Sequence, residues 1–359
     1  MPVCRSCDAG KSADAASLRE ATVADAGHEA SHETGHEAGP SPISLHTTGV
    51  SIAVTTKDGV QSRTYDLTVP TKCDASNRVP LIFIFHGDGG NGAGMYASFP
   101  IEQAAATAGA AGQAIFVYPD GTDNNIDSSG AARAWDLYHD PGPYPYAASD
   151  PVPTEGDAPS GNVDVDFFDA MVAKLEQMPC ADPSRLFITG MSSGGYLSNQ
   201  FARWRSKVVK GTAPQSGGMP FGNNDGTNTT TGVSDWAPPN YCVGTTGAVP
   251  ALIIHGLSDG TVDPCNALEA ESYWDTANGC AGSAANCGTS TYAPPSNSCT
   301  GTQFEIPPPA ATTTSALNGD CIHTSGCGSH PVVLCQVPGM GHSIWADAPQ
   351  VIWSFFASL

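Results

Sequence analysis

Leu186-Phe-Ile-Thr-Gly190-Met-Ser192-Ser-Gly194-Gly-Tyr196 is the stretch on which the fold is decided. Leu186 to Thr189 is a short apolar run of the kind that fills a buried parallel strand. Gly190 to Gly194 then spells G-x-S-x-G, and Ser193 to Arg205 continues as a helical segment. A serine between strand and helix must stand on a sharp, strained turn with its hydroxyl exposed, and the flanking glycines leave room for that backbone. The helix beginning beneath it adds partial positive charge where an oxyanion would develop. G-x-S-x-G alone is common by chance in a chain with 40 glycines. Strand, motif and helix together are far more specific.

A serine hydroxyl needs a base, and this arrangement places an acid and then a histidine later in the chain, each after a strand. Ala251-Leu-Ile-Ile254 leads into His255-Gly-Leu-Ser-Asp259-Gly-Thr-Val262, so Asp259 is the expected acid. Asp263 is its rival, deeper in the same loop. Val332-Val-Leu334 leads to Gly339-Met-Gly-His342, so His342 is the expected base. The oxyanion donors should be the Ser193 N–H and one from the loop His86-Gly-Asp-Gly-Gly-Asn-Gly92, with Asp88 N–H the choice and Gly87 and Gly89 its neighbours. That loop also matches G-x-G-x-x-G. A dinucleotide reading is set aside, because an acid at the loop mouth opposes a pyrophosphate. No G-x-x-x-x-G-K-[ST] motif occurs.

Outward from the motif, Leu81 to Phe85 and Ala114 to Tyr118 are further apolar strand runs. Val50 to Thr55 and Arg63 to Val69 alternate like half-exposed strands around Asp58-Gly59, a hairpin signal. Helices are expected at Ile101 to Ala111, at Val165 to Met178 and from about Asp347, a candidate N-cap, to Leu359. Strands alternating with helices give an α/β protein, a mostly parallel central sheet covered on both faces. Two insertions, Asp123 to Gly161 and Ala281 to His330, are assigned to the rim of the site, the second braced by disulfides. Residues 1–45 read as a low-complexity tail or linker and 46–359 as the catalytic domain. The tail contains H-E-x-x-H twice, at His28, His32 and His36, but nothing apolar flanks it to form a zincin helix, so a solvated linker is preferred.

Acidic residues outnumber basic ones 35 to 14, a net charge of -21. Such a field opposes nucleic acid and anionic lipid and leaves neutral polymers and esters as partners. The 12 cysteines favour an oxidising compartment, secreted or periplasmic, over structural zinc, since Cys4 and Cys7 form the lone C-x-x-C. No stretch has the apolar length of a membrane span, and the first 40 residues contain no signal peptide. Lipoprotein anchoring at Cys4 is kept as an alternative. Asp120, Asp123, Asn125 and Asp127 lack the EF-hand glycine and terminal glutamate, so no metal or other cofactor is assigned.

The runs Arg63-Thr-Tyr-Asp-Leu-Thr-Val-Pro70, Phe85-His-Gly-Asp-Gly-Gly90, Cys180 to Tyr196, Asn278-Gly-Cys280 and Gly341-His342 carry a family resemblance. From about Thr47 to Leu359 the chain resembles secreted feruloyl esterases and polyhydroxybutyrate-depolymerase-like enzymes, carbohydrate esterase family 1 in the broad sense. The resemblance implies the α/β-hydrolase fold, no cofactor, and Ser192, Asp259 and His342 as the triad. It departs at Asp88 and in the long, Cys-rich region from Gly282 to His330. Trp135 is expected to line the substrate pocket, with packing under the loop as the alternative. Gly87 and Trp345 are the other substrate-side residues, and Tyr138, Tyr144 and Tyr146 stud the first insertion. Asp164 and Asp166 are expected to act at a helix N-terminus. The expected substrate is a polymer-linked hydroxycinnamoyl ester, the expected state a monomer. The alternatives are a polyhydroxybutyrate depolymerase, a peptidase with the same triad, and a non-catalytic secreted carbohydrate-binding protein on a hydrolase fold.

Overall fold

A computed structural model describes residues 44–56, 59–109, 113–122, 135, 137, 162–218, 247–262, 264–280, 312–313 and 321–359. The chain divides into two units, Met1–Ser41 and Pro42–Leu359, and all the described residues belong to the second. Its elements are β1 (Ser44–Thr56), β2 (Gly59–Pro70), β3 (Val79–Phe85), α1 (Gly92–Ser98), α2 (Ile101–Ala106), β4 (Ile115–Pro119), α3 (Val163–Leu175) and β5 (Ala181–Met191). They continue with α4 (Ser193–Trp204), β6 (Val209–Gln215), β7 (Ala251–Gly256), α5 (Cys265–Ala277), β8 (Thr312–Thr313), β9 (Cys321–His323), β10 (Val332–Val337) and α6 (Ala348–Ala357).

Among the described residues the strands form one sheet in the order β1-β2-β4-β3-β5-β6-β7-β10-β9-β8. From β4 across to β10 all neighbours are parallel. The β1–β2 hairpin and β2–β4 are antiparallel at one edge, and β9 and β8 at the other. Side chains alternate across the pleat, and the core divides accordingly. Leu81, Phe83 and Phe85 of β3 join Leu186 and Ile188 of β5 on the face covered by α3, α4 and α5. Ile82, Ile84 and Phe187 point to the opposite face, covered by α1, α2 and α6. An apolar run with no polar alternation is therefore what a strand buried on both faces needs.

The expected strands and helices are present with shifted ends. Helix α2 stops at Ala106, short of the expected Ala111. Asp347 occupies the N-cap position of α6, but its side chain makes no capping bond. Asn162 caps α3, accepting from the N–H groups of Asp164 and Val165. Asp164 does sit in the first turn there. It pairs with Arg63 at 2.7 Å inside the protein, and Arg63 also donates to the Asp120 carbonyl and lies over the Phe167 ring.

Strand β6 is not anticipated by sequence. It reads Val-Lys-Gly-Thr-Ala-Pro-Gln, and its Gly211 and Pro214 argue against a central strand. It forms because its neighbours on both sides supply partners. Helix α5 is likewise unannounced, and Cys321–His323, expected as loop, pairs with β10. Disulfides join Cys73 to Cys180, Cys280 to Cys327 and Cys321 to Cys335. The tail, with its histidines and Cys4, the remainder of both insertions, and Tyr138, Tyr144 and Tyr146 lie outside the described residues.

Candidate active site

The parallel strands β3, β5, β7 and β10 all deliver residues to one place, their carboxyl ends. Ser192 follows β5 directly, with φ 59° and ψ -124°. A non-glycine residue in that region stores roughly 1–3 kcal/mol of strain, which the surroundings must hold. They do so by hydrogen bonding at both ends of the residue. Ser192 N donates to Gln215 O of β6 at 2.9 Å, and its carbonyl accepts from Gly195 N and Tyr196 N, the first turn of α4. Gly194 is required for steric reasons: a Cβ there would strike the backbone carbonyls of Phe85 and His86.

His342 Nε2 lies 2.9 Å from Ser192 Oγ, and His342 Nδ1 lies 2.8 Å from Asp259 Oδ2. The side chain of Asp259 is completely buried, whereas that of His342 is 20% exposed, so the imidazole is reachable and the carboxylate is shielded. Burial alone would raise the Asp259 pKa. The hydrogen bonds from His255, His342, Val262 N and Thr261 N outweigh it and hold the carboxyl well below the usual carboxylate range. An ionised carboxylate can only accept, so His342 Nδ1 donates and Nε2 is left bare to accept the Ser192 hydroxyl proton. The two loops are joined by Ser258 N→Met340 O at 2.9 Å and Leu257 N→Val337 O at 3.0 Å. Gly256 permits this, because a Cβ there would collide with the carbonyls of Met340 and Gly341.

Ser193 is the first residue of α4, so its N–H has no intrahelical acceptor. Gly87 lies against Ser192, since a Cβ on it would come within 3.1 Å of the Ser192 Cβ. The loop closes through Gly90 N→Gly87 O at 3.0 Å, with Gly89 at φ 72°, the conformation required at the third position of a type II turn. Asp88 is exposed at the tip of this turn.

His86 carries the loop from below. Its Nε2 accepts from Gly121 N at 2.9 Å, so Nδ1 bears the proton and donates to Gly87 O at 2.7 Å. Trp135 corrects the sequence reading. It is 2% exposed, packs edge-on to Phe85 and tilted against His86, and donates its indole N–H to His86 O at 2.7 Å. It supports the His86–Gly92 loop from within and is closed off from solvent. Trp345 is likewise core, packed with Val351 and Ile352 of α6, and forms no cleft wall.

Asp120 is committed to structure, its two oxygens accepting from Gly92 N and Thr64 Oγ1. Asp123, Asn125, Asp127 and Asp263 lie outside the described residues. Among the described residues Asp275, Cys280 and Cys327 have potential ligand atoms within 4.8 Å of one another, but both sulfurs are joined in their mutual disulfide. Sequence reasoning missed the Gln215 carbonyl that anchors the nucleophile turn, the His86 support, and His255 beside Asp259. His86 and His255 each stand at the carboxyl end of an apolar strand, followed by Gly, and that shared pattern was the available signal.

No protein-family model matches the chain. It is 26% identical over 222 residues to a probable feruloyl esterase C of Aspergillus niger, an alignment covering 62% of this chain and 64% of that protein. The chain thus spans less than two thirds of that relative's length. It is 24% identical over 311 residues to feruloyl esterase C of Emericella nidulans, covering 83% of this chain and 84% of that one. Among solved structures, an acetyl xylan esterase from Aspergillus awamori superposes with a TM-score of 0.51 at 19% identity, covering 86% of this chain and 100% of that one. The chain has the α/β-hydrolase fold.

Proposed function

We propose that this protein is a serine carboxylic-ester hydrolase acting on hydroxycinnamoyl esters of plant polysaccharide. The observation that carries the reading is the continuous relay Ser192–His342–Asp259, closed at 2.9 and 2.8 Å on a strained nucleophile turn. Ser192 Oγ attacks the ester carbonyl while His342 Nε2 takes its proton. Ser193 N–H and Asp88 N–H receive the developing oxyanion, which is where most of the barrier reduction in such sites arises. His342 returns the proton to the leaving alcohol, and water repeats the sequence to free the acid. Asp259 stays ionised throughout and balances the imidazolium.

The acyl specificity rests on similarity to proteins named feruloyl esterase C. The intact relay speaks against a non-catalytic binding role. The disulfides, one of them closing a sequence separation of 107, support an oxidising, extracellular or periplasmic setting. Among the described residues no helix is long and apolar enough to cross a membrane.

The test compares initial rates on methyl ferulate and on emulsified polyhydroxybutyrate, with Ser192→Ala as the blank. Turnover of the ferulate without clearing of the polymer is expected, and Ser192→Ala should lose several orders of magnitude while remaining folded. Polymer clearing with negligible ferulate turnover would move the protein to the polyester depolymerases. A Ser192→Ala enzyme retaining a tenth of the rate would remove Ser192 from the mechanism.

A further inference from the structure

His255 ends up beside the catalytic acid without a place in the Ser192–His342–Asp259 relay. It is the penultimate residue of β7 and is 1% exposed. Its Nε2 lies 3.0 Å from the Val262 carbonyl and 3.4 Å from Asp259 Oδ2. Both are acceptors, so the ring proton is on Nε2 and is shared between them. Among the described residues the opposite nitrogen, Nδ1, is buried with no hydrogen-bond partner, which suits a bare ring nitrogen far better than an N–H. Asp259 Oδ1 meanwhile accepts from Thr261 N at 2.9 Å and Val262 N at 3.0 Å. The carboxylate thus has four donors, two on each oxygen, and His342 shares Oδ2 with His255. Among the described residues, His255 and His342 are the ionisable side chains bonded to Asp259.

We propose that His255 is a positioning residue for Asp259: its single Nε2 proton ties the returning end of the acid loop at Val262 to the carboxylate, fixing the oxygen that His342 uses and drawing off part of its charge. The inference rests on the proposed relay. Loss of that donor has two consequences. The Asp259 loop loses the tie at Val262, so the carboxylate is held less firmly toward His342. Oδ2 also has His342 as its sole remaining side-chain donor, so the carboxylate interacts more strongly with the imidazolium and favours the protonated base. The first effect lowers turnover, and the second moves the acid limb of the rate profile to higher pH.

The experiment measures kcat/KM against pH on p-nitrophenyl acetate for wild type, His255→Gln, His255→Asn and His255→Leu, with competent Ser192 counted by stoichiometric labelling with a fluorophosphonate. Glutamine can place its amide N–H where ring Nε2 stands. Asparagine is too short and leucine has no donor. His255→Gln should stay within a few-fold of wild type with an unmoved acid limb. Asn and Leu should lose ten-fold or more per labelled serine, with the limb displaced upward. An unmoved limb in folded Asn or Leu protein, or equal losses in all three variants, would overturn the proposal. Nitrogen-15 spectra of the wild-type histidines give an independent reading that needs no variant to fold: His255 must show the Nε2–H form, and an Nδ1–H form rejects the tie. If Ser192→Ala remains active, the relay itself fails. If it is inactive and His255 is silent, only this inference fails.

Discussion

Ser192 is held at φ 59° by the Gln215 carbonyl of β6 on one side and the first turn of α4, which follows it in sequence, on the other. The strain is local, but half of the restraint comes from a strand 23 residues away. At this scale Asp259 bears on stability in acid. Its folded pKa is depressed, so the stability it contributes is present above its unfolded value of about 4 and is lost only as pH falls through the lower folded value. Protonation of Asp259 therefore cannot explain a loss of rate between pH 5 and 7. Asp259→Asn should lower kcat by roughly three to four orders of magnitude, since the amide admits the wrong His342 tautomer. A stopped assay at pH 7 checks this, and a loss under ten-fold would contradict the role. Trp135→Phe keeps the ring packed on Phe85 and His86 but removes the indole N–H that donates to His86 O. Losing one buried hydrogen bond costs about 0.5–1.5 kcal/mol. The expected outcome is a lower denaturation midpoint and reduced kcat with KM little changed, because the residue supports the loop without touching substrate. A selective rise in KM for aromatic acyl esters would restore the pocket-wall reading. Ser192, Asp259 and His342 were legible in sequence because each stands after a strand in a glycine-bearing turn. The facing of Trp135 was not, because it depends on His86, 49 residues away.

Helix α5 carries Glu271 and Asp275 one turn apart, on the side of the β9–β10 turn where Thr324 donates to Glu271 Oε1 at 3.4 Å. Burial, then the neighbouring Asp275, push the Glu271 pKa up to about 7, against the lowering effect of the Thr324 bond. Burial likewise pushes Asp275 up to about 6, against its own hydrogen bond with Thr324. These shifts are upward from unfolded values near 4. The stability tied to the protonated forms is therefore complete below about pH 4 and is lost as pH rises through 6 and 7. The melting temperature should fall between pH 5 and pH 8. Glu271→Gln should flatten that fall and raise the midpoint at pH 8, by about 1–2 °C per kcal/mol recovered in a domain of this size. Calorimetry at the two pH values decides it, and an unchanged slope in the glutamine variant would remove Glu271 as the cause. The net charge of -21 also favours mild acid, but it differs by only one unit in the variant, which separates the two effects. Nothing in the sequence of α5 announced this, because the burial that raises both carboxyls exists only once the helix is packed.

Across the molecule, Cys73–Cys180 joins the end of the β1–β2 region to the entry of β5 with a sequence separation of 107. Closing a loop of about 100 residues stabilises by roughly 4–5 kcal/mol in the chain-entropy account. Cys73→Ser with Cys180→Ser should cost about 2–5 kcal/mol in urea unfolding while leaving kcat on a small ester unchanged, since neither residue approaches Ser192. Equal loss of kcat and stability would place this bridge in the site. The strand–serine–helix turn, the order Ser192, Asp259, His342, and the doubly covered parallel sheet are all written in the chain. They rest on periodicity and on residues adjacent in sequence, where turn sterics and alternate burial act locally. Three features emerge only on folding: β6 is a central strand despite Gly211 and Pro214, Trp135 lies beneath the loop that starts at His86, and His255 reaches Asp259. The first is settled by the strands that pair with β6 on both sides and the second by His86, 49 residues away. His255 is only four residues from Asp259, but the loop that turns the two together is held by bonds to Val337 and Met340, and no local pattern encodes such distant partners.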